Sequence, residues 1–446
     1  MTFKTLLKQI LPSSFLSYYH YALARLGAYL YGNPSRKLFL IGITGTKGKS
    51  TVVELLRAML AEAGFTTASA STIGFYDGVE WEPNLFKMTM PGRFFLAKLL
   101  KRAVERGATH AVVEMTSEGA RQFRHSGLEM NALIFTNLQP EHLESHGSME
   151  AYAQAKLSLV RHLANSPKRP RLIVANAEDP LGSEFLSANV EVRVPFSLAD
   201  GHPYQADEKG CRFTWRGQLM TSPLPGLFNL RNVLAALALG EAMNLPREAM
   251  KKALEKTTRI AGRAERVERG QNFTVIVDYA HTPDSLRALY ETYKKTNSPL
   301  GGPRDDSAAK SRRIICVLGN TGGGRDAWKR PEMGTVADEL CDRVFLTNED
   351  PYDEDPQAIL TDMEKGFSKQ KPTIELDRRR AIRSALKTAA PGDAVLITGK
   401  GTDPYIMGKR GLKTPWSDQG VAEEELDKLL ARRKNKGYSP RAEPRA

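Results

Sequence analysis

The chain has 446 residues, 41% of them apolar and 26% charged, and its 64 Lys and Arg outnumber 51 Asp and Glu for a net charge of +13. That length exceeds one ordinary core and implies two or three domains, and the balance is that of a globular protein, which excludes a disordered or fibrous chain. The positive excess suits either a nucleic-acid or membrane partner or anionic, phosphorylated substrates; with no helix-turn-helix or RNA-binding signature, no nucleic-acid partner is expected.

Residues 1–36 read as a short helical N-terminal segment broken by Gly32 and Pro34. Residues 13–32 are apolar and aromatic, but His20 and Arg25 interrupt them, so they form neither a cleavable signal nor a spanning helix of about 20 apolar residues. The segment either packs on the next domain or, with Lys4, Lys8 and five tyrosines, makes peripheral contact with a membrane surface. Residues 37–260 alternate apolar strands ("LFLIGIT", "HAVVEM", "NALIFTNL", "RLIVANAEDP") with helical patterns at 51–64 and 148–163. Such alternation predicts an α/β domain with a parallel sheet. A second α/β series fills 261–431, with strands in "FTVIVDYAH", "RRIICVLGN", "DRVFLTNED" and "DAVLITGKG". Within it 298–311 is a polar surface loop, and 432–446 reads as a disordered basic tail. Cys211, Cys316 and Cys341 are far apart and lack metal-ligand spacing, which points to a reducing cytoplasm and no disulfide framework.

The densest chemistry lies at 41–52, "IGITGTKGKSTV", where a strand runs into a glycine turn and then a helix. Gly45 and Gly48 let backbone N–H groups converge on phosphate oxygens, with Thr46, Lys47 and Thr51 completing the cradle. Lys49 reaches the outer phosphates and Ser50 is placed to ligate Mg²⁺. The usual first glycine of the phosphate loop is replaced by Ile43, so this is a variant, "TGTKGKS". Glu114 ends a parallel strand, a position from which a carboxylate holds Mg²⁺ beside such a loop.

The loop resembles the TGTxGK[ST] signature of the Mur ligases, ATP-dependent amide-forming enzymes of peptidoglycan synthesis, and further segments extend the resemblance from about residue 38 to 420. "TNLQPEHLESHGSMEAYAQAK" (136–156) is similar to the family's TNL…DHLD.HG…Y..AK. The resemblance implies that His142 and a carbamylated Lys156 bind a second Mg²⁺, completing a metal set of Ser50, Glu114, His142 and Lys156. "LPGLFNLRNVLAALA", "GRAERV" and "VDYAHTPDSL" match motifs that imply nucleotide contacts for Asn229, Asn232, Asp278 and His281 and a catalytic reach to the γ-phosphate for Arg263, beside Lys49, His142 and Lys156. Thr89, Ser117 and Arg124 would face the acid substrate. "GGGRDAWKRPEMG", "NEDPY" and "GKGTDPY" imply that Arg325, Asp350, Tyr352, Gly399 and Asp403 read the incoming amino acid.

Several positions depart from the pattern. Glu118 stands where the family has His, Tyr352 where diaminopimelate-adding members have Arg, and Asp403 where Glu is expected. About forty residues precede the loop, in place of a uridine-binding domain of roughly a hundred. The implied enzyme is a cytoplasmic, monomeric acid–amino-acid ligase using ATP and two Mg²⁺ to add an amino acid, a diamino acid in the tripeptide-forming branch, to an anionic muramoyl-peptide. The implied architecture is a central P-loop-type ATPase domain followed by a Rossmann-like domain. A folylpolyglutamate synthase-like ligase and a non-catalytic ATP-binding regulator are the alternatives.

Overall fold

The computed structural model describes residues 13–141, 143–294 and 312–435. The chain divides into two compact units, the first formed mainly by residues up to 258 and the second by residues from 259 onward, to which 206–210 and 224–227 also belong.

The first unit is built on eight strands: β1 (Phe39–Thr44), β2 (Thr67–Ala70), β3 (Gly74–Tyr76), β4 (Trp81–Pro83), β5 (His110–Glu114), β6 (Ala132–Phe135), β7 (Leu172–Asn176) and β8 (Val192–Phe196). Their order is β4-β3-β2-β5-β1-β6-β7-β8, parallel except at β3 and β4. Strands β2, β5, β6 and β7 are buried throughout, as expected when helices cover both faces of a parallel sheet. The helix Lys49–Glu62 buries Val52, Val53, Leu55, Leu56, Met59 and Leu60. Each such side chain contributes about 1.5–3 kcal/mol on leaving water. Ser148 caps the helix Met149–Ala164 by accepting the Ala151 N–H at 3.1 Å. A small antiparallel sheet follows, from β9 (Tyr204–Asp207), β10 (Gly210–Trp215) and β11 (Gln218–Ser222).

The helix Ser13–Leu30 packs on the first unit through buried Ala24 and Ala28; a Cβ at Gly127 would come 2.6 Å from the Ala24 carbonyl oxygen. Packing on the neighbouring domain therefore occurs, while Tyr18 and Tyr29 remain 70% and 72% exposed. No helix among the described residues is long and apolar enough to cross a membrane.

The second unit has a six-stranded sheet ordered β12-β13-β17-β14-β15-β16, comprising β12 (Glu265–Arg266), β13 (Thr274–Asp278), β14 (Ile314–Leu318), β15 (Arg343–Leu346), β16 (Thr373–Ile374) and β17 (Ala394–Thr398). All neighbours are parallel except β12 with β13. A two-stranded ribbon, β18 (Tyr405–Met407) and β19 (Lys413–Pro415), precedes the helix Asp418–Asn435.

Three expectations need revision or fall outside view. The last helix continues to Asn435, into the segment expected to be disordered: 432–434 are Arg-Arg-Lys, residues that favour helix and whose charge suits a helix C-terminus; 436–446 lie outside the described residues. The polar stretch 298–311 also lies outside them. The expectation of no disulfide is contradicted: Cys316 and Cys341 are bonded, with Cα atoms 6.2 Å apart. Separation along the chain hid their proximity, since Cys316 lies within β14 and Cys341 just precedes β15, the adjacent strand. Cys211 is buried and outside any disulfide.

Candidate active site

The turn after β1 sits at the carboxyl end of the parallel sheet, where α/β folds open a crevice for ligands. Gly45 has φ +142°, and a Cβ there would fall 1.9 Å from Thr136 Oγ1; Gly48 has φ +85°, and a Cβ there would fall 2.1 Å from Asn232 Oδ1. Both positions thus demand glycine on conformation and on space. The turn is held from outside by residues following β6. The Lys47 N–H donates to Asn137 Oδ1 at 2.9 Å, and the Thr46 N–H to the Asn137 carbonyl at 2.8 Å. Thr136 Oγ1 donates to the Lys47 carbonyl at 2.7 Å. Gly48 is the N-cap of the helix Lys49–Glu62, without a side-chain cap, so the helix presents its partial positive end at the turn.

Register pairs Ile43 with Glu114, so the end of β5 reaches the start of the turn. Ser50 Oγ donates to Glu114 Oε2 at 2.8 Å, and Lys49 Nζ lies 3.9 Å from Glu114 Oε1. The Thr72 N–H and hydroxyl also donate to Glu114, at 2.9 and 3.1 Å, and the Thr72 hydroxyl is 2.7 Å from that of Thr89. A buried carboxylate beside a hydroxyl, under a glycine turn at a helix N-terminus, is the oxygen-donor chemistry Mg²⁺ requires.

Lys156, on the helix Met149–Ala164, is 1% exposed and donates through Nζ to the Gly45 carbonyl at 2.7 Å. Its ammonium lies 4.4 Å from the centroid of the Tyr152 ring, whose hydroxyl meets Thr46 Oγ1 at 3.1 Å. Burial, reinforced by the positive charge of Lys49, pushes its pKa well below the ordinary lysine value. Lys47 Nζ pairs with buried Glu141 at 2.9 Å. Asn229 and Asn232 are both buried on the helix Leu227–Ala242 and lie 3.3 Å apart through Nδ2 and Oδ1.

The structure therefore brings Gly45–Thr51, Glu114, Lys156 and Asn232 to one turn, with Thr89 joined through Thr72. Ser117, in the short helix after β5, meets His146 Nε2 at 3.1 Å. Arg124 donates to Gln122 Oε1 at 2.7 Å and to the Met90 carbonyl. His142 lies outside the described residues. Glu118, in place of the family's histidine, accepts from Gln122 Nε2 at 2.6 Å.

Two clusters belong to the second unit. In one, the Arg263 guanidinium lies 4.7 Å from the Tyr279 ring centroid, Asp278 accepts the Ala264 and Ala280 N–H groups at 2.5 and 2.6 Å, and His281 Nδ1 is 2.6 Å from the Tyr279 carbonyl. In the other, Lys400 Nζ donates to Asp350 at 2.8 Å, to Asp403 at 3.3 Å and to the Tyr405 carbonyl at 2.7 Å, while the Arg325 guanidinium stacks 4.9 Å from the Tyr352 ring centroid.

Sequence reasoning assigned no role to Thr136, Asn137, Tyr152 or Thr72. The first three lie inside the most specific motif segment, so their signal was present; Thr72 follows β2 with no signature of its own.

Comparison with known proteins agrees with this geometry. Residues 43–240 match the Mur ligase middle domain and residues 262–401 the Mur ligase glutamate ligase domain. The UDP-N-acetylmuramoyl-L-alanyl-D-glutamate–2,6-diaminopimelate ligase of Gloeobacter violaceus is 38% identical over 421 residues, which span 92% of this chain and 81% of that protein. The enzyme of the same name from Chlorobaculum tepidum is 36% identical over 425 residues, spanning 90% and 79%. Among solved structures, a ligase of that name superposes with TM-score 0.60 at 27% identity, covering 92% of this chain and 83% of its own. Folylpolyglutamate synthase of Mycobacterium tuberculosis gives TM-score 0.67 over 94% and 96%, but at 17% identity it speaks for the fold alone. A glycine turn at a helix N-terminus, a carboxylate and hydroxyl at its foot, and similarity spanning both units lead to one conclusion: the chain belongs to the Mur ligase family of ATP-dependent ligases.

Proposed function

We propose that the protein joins an amino acid to a UDP-N-acetylmuramoyl-dipeptide-like acid in peptidoglycan synthesis, through an acyl phosphate. The observation that carries this reading is the meeting of Lys49, Ser50, Glu114 and buried Lys156 at one turn, in a chain 38% identical to a diaminopimelate-adding ligase.

Amide formation from a carboxylate in water is uphill, so the acid is first activated. Its oxygen bonds to the γ-phosphorus of ATP while the bond to the bridging oxygen breaks and ADP leaves. The amine then attacks the acyl carbon, phosphate departs, and the ammonium proton is lost to solvent or base. Most of the catalysis is positioning and charge neutralisation. The helix end and Lys49 are assigned to the triphosphate; Arg263, Asp278 and His281 are assigned nucleotide contacts by their motifs. Ser50 and Glu114 would hold Mg²⁺, which supplies further neutralisation between triphosphate and carboxylate. Thr89, Ser117 and Arg124 serve the acid.

Lys156 is assigned as a carbamate. Its neutral amine is favoured by burial, and addition of CO₂ with loss of a proton would replace a cation beside Lys49 and Lys47 by an anion. With His142 it would complete a second metal position. The protein is read as a cytoplasmic monomer without a nucleic-acid partner, and the exposed Tyr18 and Tyr29 support a peripheral membrane contact of its first helix.

The test is phosphate release from ATP with UDP-N-acetylmuramoyl-dipeptide and a panel of amino acids. Release that requires both acid and amine is expected. ATP binding with no acceptor-dependent release would favour a regulatory protein, and release with a folate acid and glutamate would favour a folylpolyglutamate synthase.

A further inference from the structure

Glu114 is gripped from the side away from the turn by Thr72. That residue lies just beyond β2, and the pairing of Ala70 with Val113 sets it beside the end of β5. It gives Glu114 two hydrogen bonds, one to each oxygen: the backbone N–H donates to Oε2 at 2.9 Å and the hydroxyl to Oε1 at 3.1 Å. Two donors from one residue fix the plane of the carboxylate, and a carboxylate so fixed presents its remaining lone pairs to a cation in one orientation.

The Thr72 hydroxyl has a second neighbour, Thr89 Oγ1, 2.7 Å away on the loop after β4. Proton counting gives the pair a direction. A hydroxyl has one proton, and an ionised carboxylate only accepts. With the Thr72 proton on Glu114, the Thr89 hydroxyl donates to Thr72, and the series runs from Thr89 through Thr72 to Glu114. The contact is braced from below. Asn84, 5% exposed, donates through Nδ2 to the Ser71 carbonyl at 3.0 Å and to the Met88 carbonyl at 3.2 Å, the residues directly before Thr72 and Thr89. Its backbone N–H reaches the Ile73 carbonyl at 3.2 Å, and fully buried Ser71 accepts the Ile73 N–H at 3.1 Å. One amide side chain thus holds the two threonines in step. Thr72 and Thr89 are themselves only half-buried, so the series ends at a site that is not enclosed.

We propose that Thr72 is a positioning residue that couples Glu114 to the acid substrate through Thr89. While Glu114 carries its full charge, both protons point toward it and Thr89 offers a carboxylate no donor. When a divalent cation offsets that charge, the Thr72 hydroxyl turns its proton to Thr89, and Thr89 turns its own to the substrate. Cation and acid then tighten each other's binding by the same factor. This rests on the ligase reading above and on Thr89 serving the acid.

The experiment is equilibrium binding of Mn²⁺, read by electron paramagnetic resonance, to the full chain carrying a non-hydrolysable ATP analogue. It is run without and with saturating UDP-N-acetylmuramoyl-dipeptide, for wild type, Thr72→Val, Thr72→Ser and Thr89→Val. Valine keeps the backbone N–H and the branched shape and removes the hydroxyl; serine keeps the hydroxyl. In wild type the acid is expected to tighten Mn²⁺ at least about fivefold. Thr72→Val is expected to weaken Mn²⁺ about tenfold and to abolish the tightening by acid, and Thr72→Ser to restore both. Thr89→Val is expected to abolish the tightening as well, and it carries the test if Thr72→Val does not fold. Acid that tightens Mn²⁺ as well in either folded valine variant as in wild type overturns the inference and leaves the ligase reading standing. So does acid that binds wild type without changing its Mn²⁺ affinity. Acid that fails to bind wild type sinks the ligase reading instead. Mn²⁺ affinity then decides the role of Thr72 at Glu114: weakening in Thr72→Val with rescue by serine supports it, and equal affinity overturns it.

Discussion

The glycine turn of the first unit and the buried acidic cluster of the second are both built where parallel strands end, yet they are finished differently. Around the turn, both oxygens of Glu114 have donors from Ser50 and Thr72, and Lys47 and Lys156 are seated on Glu141 and the Gly45 carbonyl. In the cluster, Lys400 and Arg378 are fully engaged and acceptors are left over. The turn is shaped by its own chain for a ligand common to a whole family, so its identity is carried by spacing. The acidic cluster keeps acceptors without a donor, so its identity is carried by single side chains.

If the two regions are built independently, damage to one should leave the other's readout untouched. The largest effect is expected from Asp418→Ala. It strands the Arg378 guanidinium, 1% exposed, and should cost about 3–5 kcal/mol in urea unfolding, with amide exchange accelerating in β15 and β17 but not in β1 and β5. Lys49→Ala should lower kcat about 10²–10³-fold with urea stability little changed; a variant that instead unfolds would show that the turn is not self-sufficient. Gly45→Ala, whose Cβ would meet Thr136 Oγ1 at 1.9 Å, should lose ATP binding in a fluorescent-nucleotide titration and about 1–3 kcal/mol of stability.

The regions should also part company with pH. Burial pulls His110 down to about 4 and His125 to about 3, both in the first unit. Their folded pKa values lie below the ordinary 6.5, so the stability they contribute is present above it and is lost as pH falls through about 4 and 3. Amide exchange in β1 and β5 should therefore accelerate on acidification toward pH 4. Glu349 acts oppositely. Burial and the neighbouring Asp350 raise its pKa, which means that its contribution is present at acidic pH and lost as pH rises through the raised value, so Glu349→Gln should gain a little urea stability at pH 7, with the gap closing toward pH 4.

Much of the first region could be read in advance, because local rules fix it. A strand, two glycines and Lys49-Ser50 opening a helix leave few alternatives, and a carboxylate at the end of β5 lands beside the turn once the strands pair. Thr72 was illegible, since nothing in its neighbours announces a contact 42 residues away with Glu114. The same holds for the Cys316–Cys341 bond and for the Lys400–Asp350 pair, 50 residues apart, which only the strand order of the second sheet brings together. The loop departure at Tyr352 was visible as a letter, but the leftover acceptor on Glu349 depends on how Lys400 spends its three donors, which no spacing reveals.

The pairing of Arg378 with Asp418 has a bearing on how the protein is made. That guanidinium also donates to the Thr398 carbonyl at 2.7 Å and the Asn348 carbonyl at 3.3 Å, and the Trp416 indole N–H secures Asp418 at 2.8 Å. The ends of β15 and β17 are thereby braced by residues 416–418, far downstream of the strands they steady. During synthesis the buried guanidinium therefore has no carboxylate partner until nearly the whole chain has been made, and the second unit can complete this ion pair only when the first residue of the final helix arrives.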